Sequence, residues 1–210
     1  TITVEDANGC TDNISITVAD LSGLTAVIDS QVDADCNGSA TGEVTVTASG
    51  STAPYTYDIG SGAQASGTFL GLLAGSYTVT AEDANGCLFP VSVTIDEPTP
   101  LVGALDNTID ADCNGALTGE AAVSASGGTS PYTYAIDGLT FVSSGTFTGL
   151  LAGPYTVTVE DANGCQTTVG VTINEPLILS ISQDAVTDAS CGNANGEITV
   201  SASGGTLAYS

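Results

Sequence analysis

The chain has 210 residues, 24 of them acidic and none Lys, Arg or His, for a formal net charge of −24. Nucleic acid and anionic membranes are excluded as partners, because no basic side chain is present to neutralise phosphate or release counterions; divalent and other cations are the partners that fit. The same absence removes Schiff bases, Ser-His-Asp triads, Cys-His pairs, Walker lysines and arginine fingers from the available chemistry, while 42% hydrophobic against 11% charged residues is the balance of a folded protein rather than a disordered acidic tail.

Residues 1–21 open inside a repeated unit. Glu5-Asp6-Ala7-Asn8-Gly9-Cys10 returns as Glu82 to Cys87 and as Glu160 to Cys165, at a spacing of 77 to 78 residues. Self-similarity at a fixed period marks repeated structural units, and a unit of this length can own a small core. The reading is therefore a string of domains rather than a solenoid: 1–21 the end of one repeat, 22–98 and 99–176 two complete repeats, and 177–210 the start of another. Beginning and ending inside a repeat, the chain is expected to be a fragment of something longer.

In the first complete repeat the apolar residues alternate with the period of a strand. Val44, Val46 and Ala48 face one way and Glu43, Thr45 and Thr47 the other, as do Tyr77, Val79 and Ala81 against Thr78 and Thr80. Further strands are predicted over Leu24 to Val32, Tyr55 to Ile59, Ala65 to Leu70 and Val91 to Ile95. Turn formers stand between them at Asn37-Gly38, Gly60 to Gly62, Ala74-Gly75 and Asn85-Gly86. Six or seven short strands in so few residues predict an immunoglobulin-like β-sandwich, with negligible helix. Leu73-Ala74-Gly75-Ser76-Tyr77-Thr78-Val79 reads as the entry to a strand with a corner tyrosine, its hydroxyl reaching back to the chain just before it; Leu151 to Val157 repeats it. Asp96-Glu97-Pro98 and Asn174-Glu175-Pro176 close the repeats, since proline cannot extend the ladder. Ala19-Asp20-Leu21 takes that place in the first, partial repeat. Joints this short predict tandem domains in an extended rod.

The six cysteines fall two to a period, without CxxC or histidine for a zinc site. One disulfide per domain is expected, Cys36 to Cys87 and Cys113 to Cys165, in an oxidising extracellular compartment; Cys10 and Cys191 belong with partners outside the chain. Asp33-x-Asp35-x-Asn37-Gly38 and its counterpart Asp110, Asp112, Asn114 present oxygen ligands at alternate positions before a glycine, as in the first half of a calcium loop. Calcium is thus the candidate cation, although an ordinary Asx-rich connection explains the same letters and no cofactor is required. The pairs Glu82-Asp83 and Glu160-Asp161 invite a glycosidase reading, but a catalytic dyad is not expected in every repeat. No enzyme is predicted. No apolar stretch approaches the ~20 residues of a spanning helix, so this segment is not expected to insert in a membrane.

The succession Cys-Asn-Gly, Ala48-Ser49-Gly50-Ser51-Thr52-Ala53-Pro54-Tyr55-Thr56-Tyr57, Leu73 to Thr80, Asp83-Ala84-Asn85-Gly86-Cys87 and Thr94-Ile95-Asp96-Glu97-Pro98 resembles the SprB repeat, known from the giant gliding-motility adhesin and related surface proteins of Bacteroidetes. The second complete repeat carries the same order through Ser126 to Tyr134, whereas the third departs with Ala208 where Pro131 stands. The resemblance implies an exported, cell-surface or filament-forming protein delivered by a type IX secretion system, and no catalytic residues. Two functions follow. The first is the non-catalytic shaft of a large repetitive adhesin or extracellular filament in gliding or attachment, with neighbouring repeats and identical chains as partners. The alternative is a calcium- or glycan-binding module acting by avidity. Tyr55, Tyr57, Tyr132 and Tyr134 follow the strand alternation instead of forming an exposed aromatic platform, which favours the shaft.

Overall fold

Alternation becomes burial wherever one face of a strand meets a second sheet. A computed structural model of the protein describes residues 1–16, 23–138 and 140–210; Ala19-Asp20-Leu21 and the boundary at 21–22 lie outside the described residues. The chain divides into two compact units, Thr1–Ala34 with Gly38–Glu97, and Asp35–Asn37 with Pro98–Ser210.

The first unit begins with a hairpin of β1 (Ile2–Glu5) and β2 (Thr11–Ile14). Its sandwich follows. One sheet runs β3 (Thr25–Val32), β4 (Gly42–Ser49), β6 (Thr68–Leu72), and the other β5 (Thr56–Asp58), β7 (Gly75–Glu82), β8 (Leu88–Ile95). All pairings are antiparallel. Leu24, Ala26, Val44, Val46, Ala48 and Phe69 from one sheet and its lead-in meet Tyr57, Val79, Ala81, Val93 and Ile95 from the other in one core. Two three-stranded antiparallel sheets sharing a core are the expected all-β, immunoglobulin-like sandwich.

The second unit repeats the plan. Its sheets are β9 (Val102–Ile109), β10 (Gly119–Ser126), β12 (Thr146–Leu150) and β11 (Thr133–Ile136), β13 (Gly153–Glu160), β14 (Gln166–Ile173). Val123, Tyr134, Ile136, Val157, Val159, Val171 and Ile173 fill the core. A hairpin of β15 (Ser180–Thr187) and β16 (Glu197–Ser203) ends the unit.

Two strands differ from the sequence reading. Residues Ala65 to Gly67 precede β6, because the Gly67 carbonyl accepts the Val46 amide at 2.9 Å outside the regular ladder. A Cβ at Gly67 would stand 1.9 Å from the Val46 oxygen, so only glycine permits this approach. β8 starts at Leu88 rather than Val91 and runs through Pro90, opposite Thr80. It is an edge strand, where the missing N–H of proline costs no ladder bond.

A feature of the first strand of each repeat escaped the sequence pattern. The register of β3, β9 and β15 skips one residue, Asp29, Asp106 and Asp184 respectively. These are β-bulges, which leave the extra residue out of the ladder. The freed carboxylate accepts a hydroxyl from the neighbouring strand: Thr47 for Asp29, Ser124 at 2.7 Å for Asp106, and Ser201 for Asp184.

Candidate functional site

The Asp-Ala-Asn-Gly-Cys segments are the tips of the β1–β2, β7–β8 and β13–β14 hairpins, and the leading aspartate sets their shape. Oδ1 of Asp83 accepts the amides of Asn85 at 2.9 Å and Cys87 at 2.8 Å. Asp161 does the same for Asn163 and Cys165, both at 2.9 Å, and Asp6 for Asn8 and Cys10, both at 2.9 Å. The glycine takes φ of 81 to 83° in all three, a conformation glycine adopts without steric cost. The motif is therefore an Asx turn that presents its cysteine at the start of the outgoing strand. Asp83 is buried and also accepts the Ser51 hydroxyl. That bond, joined by the Cys87 and Asn85 amides against the opposing effect of burial, holds its carboxyl at about 2. Glu82 beside it is exposed.

The Asp-x-Asp-x-Asn-Gly loop is tied to the end of its own repeat. Asp33 Oδ1 accepts the Asp96 amide and the Gln31 side-chain amide, each at 3.0 Å, and the Asp96 bond, then the Gln31 bond, lower its pKa. Asp110 accepts the Asn174 amide at 2.9 Å and the Asn174 side chain at 3.2 Å. The Asn37 side chain donates to the Pro98 carbonyl at 3.1 Å, and the Gly38 amide to Glu97 at 2.6 Å. Asn114 likewise donates to Glu175 at 2.8 Å and Pro176 at 3.2 Å, and the Gly115 amide to Glu175 at 2.6 Å. The Asp112 amide donates to Thr118, and the Asp35 carbonyl accepts the Asn163 side chain at 2.8 Å. Loop and Glu-Pro terminus, about 60 residues apart in sequence, are two halves of one clasp. Among the described residues no group of three or more Asp, Glu, Cys or His side chains converges as a metal site.

The structure bonds Cys36 to Cys165, with Cα atoms 5.8 Å apart, within the unit that contains both residues. This corrects the expected pairs Cys36 to Cys87 and Cys113 to Cys165. The reason lies in strand direction. Ala111 donates to the Asn174 carbonyl just beyond the end of β14, whereas Cys165 precedes its start. Ala34 and Asp96 stand in the same relation to β8 and Cys87. Eight residues of strand put about 26 Å between such positions, and a disulfide needs Cα atoms within about 7 Å. Cys113, Cys10 and Cys191 are exposed thiols; Cys87 is half-buried against the first core. Spacing alone reveals two cysteines per period, whereas the poles they occupy depend on the strand order.

The corner tyrosines are as expected. Tyr77 and Tyr155 donate to the carbonyls of Leu73 and Leu151, each at 2.9 Å.

The SprB repeat model matches residues 28–64, 105–141 and 184–210. The chain carries SprB repeats. Each match begins in the first strand of a repeat and takes in its bulge aspartate and the Asp-Ala-Asp-Cys loop or its altered form. No curated protein matches the chain. Among solved structures, three N-terminal domains of the Highly Immunogenic Outer Capsid protein of bacteriophage RB49 are 17% identical, over 88% of this chain and 70% of that one, at a TM-score of 0.45. Fibronectin(III)-like modules of Clostridium thermocellum CbhA are 15% identical over 72% of this chain and 95% of that one, at 0.32. A C-terminal intimin fragment in complex with its receptor's binding domain is 17% identical over 75% and 67%, at 0.39. At these scores the likenesses carry no argument about function.

Proposed function

We propose that the chain is a stretch of the non-catalytic shaft of a repetitive cell-surface adhesin or extracellular filament, its SprB repeats serving gliding or attachment after export by a type IX system. The observation that carries this reading is the bond between Cys36 and Cys165. It joins a loop of one sequence repeat to a turn of the next, which a shaft under tension needs and an independent binding module does not. Asp29, Asp33, Asp83, Asp106, Asp110 and Asp161 point the same way, because their side chains are engaged in bulges, turns and clasps. Tandem sandwiches of this type are typically non-catalytic, and a disulfide suits an extracellular protein.

Immunogold electron microscopy with antibodies against residues 22–176 tests the reading. Label along surface filaments or at the cell envelope exterior is expected, and label confined to the cell interior would contradict it. The alternative, a glycan-binding module, is tested on a glycan array. Clear binding there by the isolated chain would replace the shaft with an avidity device.

A further inference from the structure

Cys113 is the counterpart of Cys36 one period along. Both follow an Asp-Ala-Asp sequence, and both are followed by an asparagine whose side chain holds the Glu-Pro terminus of its own repeat. Cys36 is bonded to the cysteine of the Asp-Ala-Asn-Gly-Cys turn in the next repeat. Cys113 is exposed and in no disulfide. The surroundings of the two cysteines correspond. Cys36 and Cys165 share a hollow with Asn37, Pro100, Leu101 and Gln166. Cys113 and Asn114 line a cavity of about 230 Å³ with Pro176, Leu177 and Leu179. Leu101 and Leu179 are equivalent, each three residues past the closing proline and immediately before the first strand of the following repeat. The wall beside Cys165 is thus rebuilt beside Cys113, by residues that precede β15 as Pro100 and Leu101 precede β9.

We propose that Cys113 takes the same disulfide, with the cysteine of an Asp-Ala-Asn-Gly-Cys turn belonging to a further repeat of this kind. Two thiols lose two protons and two electrons to a disulfide oxidant, small-molecule or protein-bound, which is reduced to two thiols. The turn has two sources: a repeat farther along the same polypeptide, or a second copy of the chain, whose Cys10 is an exposed cysteine closing such a turn. Repeated along an array, the bond makes a covalent thread that joins each repeat to the next in parallel with the backbone. The inference rests on the extracellular reading, since the bond needs an oxidising compartment.

The test is disulfide mapping of the native protein, alkylated before unfolding and cleaved before aspartate, which places Cys113 in a peptide of residues 112–136. The expected result is this peptide cross-linked to an Asp-Ala-Asn-Gly-Cys peptide other than those of Cys87 and Cys165. On a non-reducing gel the mass stays that of one chain if the turn is in the same polypeptide and rises to multiples if a second copy supplies it. In the 210-residue chain oxidised with glutathione disulfide, Cys113 should join Cys10 of another copy. Cys113→Ser should abolish that link and leave the Cys36–Cys165 cross-link intact. Cys113 recovered alkylated while Cys36–Cys165 is bonded would overturn the inference and leave the surface reading standing. Both cysteines alkylated in native material would overturn both, and a link from Cys113 to Cys165 would overturn the pairing rule itself.

Discussion

The Ser51 hydroxyl and the amides of Asn85 and Cys87 all point at the carboxylate of Asp83, in a chain with no basic side chain to do so. Aspartates at the bulges, the clasps and the turn tips accept hydrogen bonds in the same manner, from hydroxyls and amides. Because Asp83 lies at about 2 when folded against 3.8 as its ordinary value, it contributes stability that is fully present above pH 4. That contribution is lost as pH falls through 2. Thermal melts between pH 2 and 5 should show the first unit losing stability in that window. Ser51→Ala, removing the largest cause, should move the loss to higher pH; identical acid limbs for the two proteins would contradict the assignment. The Asn-Gly turns were legible in the sequence because glycine and asparagine declare themselves. The partners of Asp33 and Asp110 were not. They include the backbone amides of Asp96 and Asn174, and every residue but proline offers an amide, so no letter announces them.

At the scale of elements, the strands whose alternation was clearest are those with one face in the core. Val44, Val46 and Ala48 on β4 are at most 5% exposed, and their alternation with Glu43, Thr45 and Thr47 is plain in the letters themselves. Val44→Ala or Ile95→Ala should cost roughly 2–4 kcal/mol by removing apolar volume that cannot fully collapse; urea unfolding of the first unit measures it, and a change below about 1 kcal/mol would mean a looser core than described. The bulges were hidden because a skipped residue looks in sequence like an ordinary polar position, and the threefold recurrence of Asp29, Asp106 and Asp184 was the available signal. The clasp was hidden for a related reason: its halves, Asn37-Gly38 and Glu97-Pro98 in the first complete repeat, were each read as a local turn or stop. Glu175→Gln keeps the shape but weakens the two bonds to Asn114 and Gly115, and should destabilise the second unit by about 1 kcal/mol. An unchanged urea midpoint would show the clasp to be energetically idle.

For the molecule as a whole, 24 acidic residues without internal cations mean that added salt relieves repulsion. With Asp33 and Asp110 engaged by amides, calcium and sodium chlorides at matched ionic strength should raise the melting temperature equally. A larger rise in calcium would instead mark a bound ion, stabilising by mass action. The repeat period, the sandwich and the number of cysteines per repeat were all legible in the sequence; the pairing was not, because it depends on which pole of a sandwich each loop occupies. The central claim is that the Cys36–Cys165 bond carries tension past the residues it encloses. Pulling the chain from its two ends in a single-molecule force experiment tests this directly. The bond encloses a sequence separation of 129 residues, so reduction should release about 45 nm of additional contour length. Release of about 36 nm would be the signature of two bonds within repeats, Cys36–Cys87 and Cys113–Cys165. Equal contour lengths with and without reductant would mean that no such bond shields the chain, and would contradict the account.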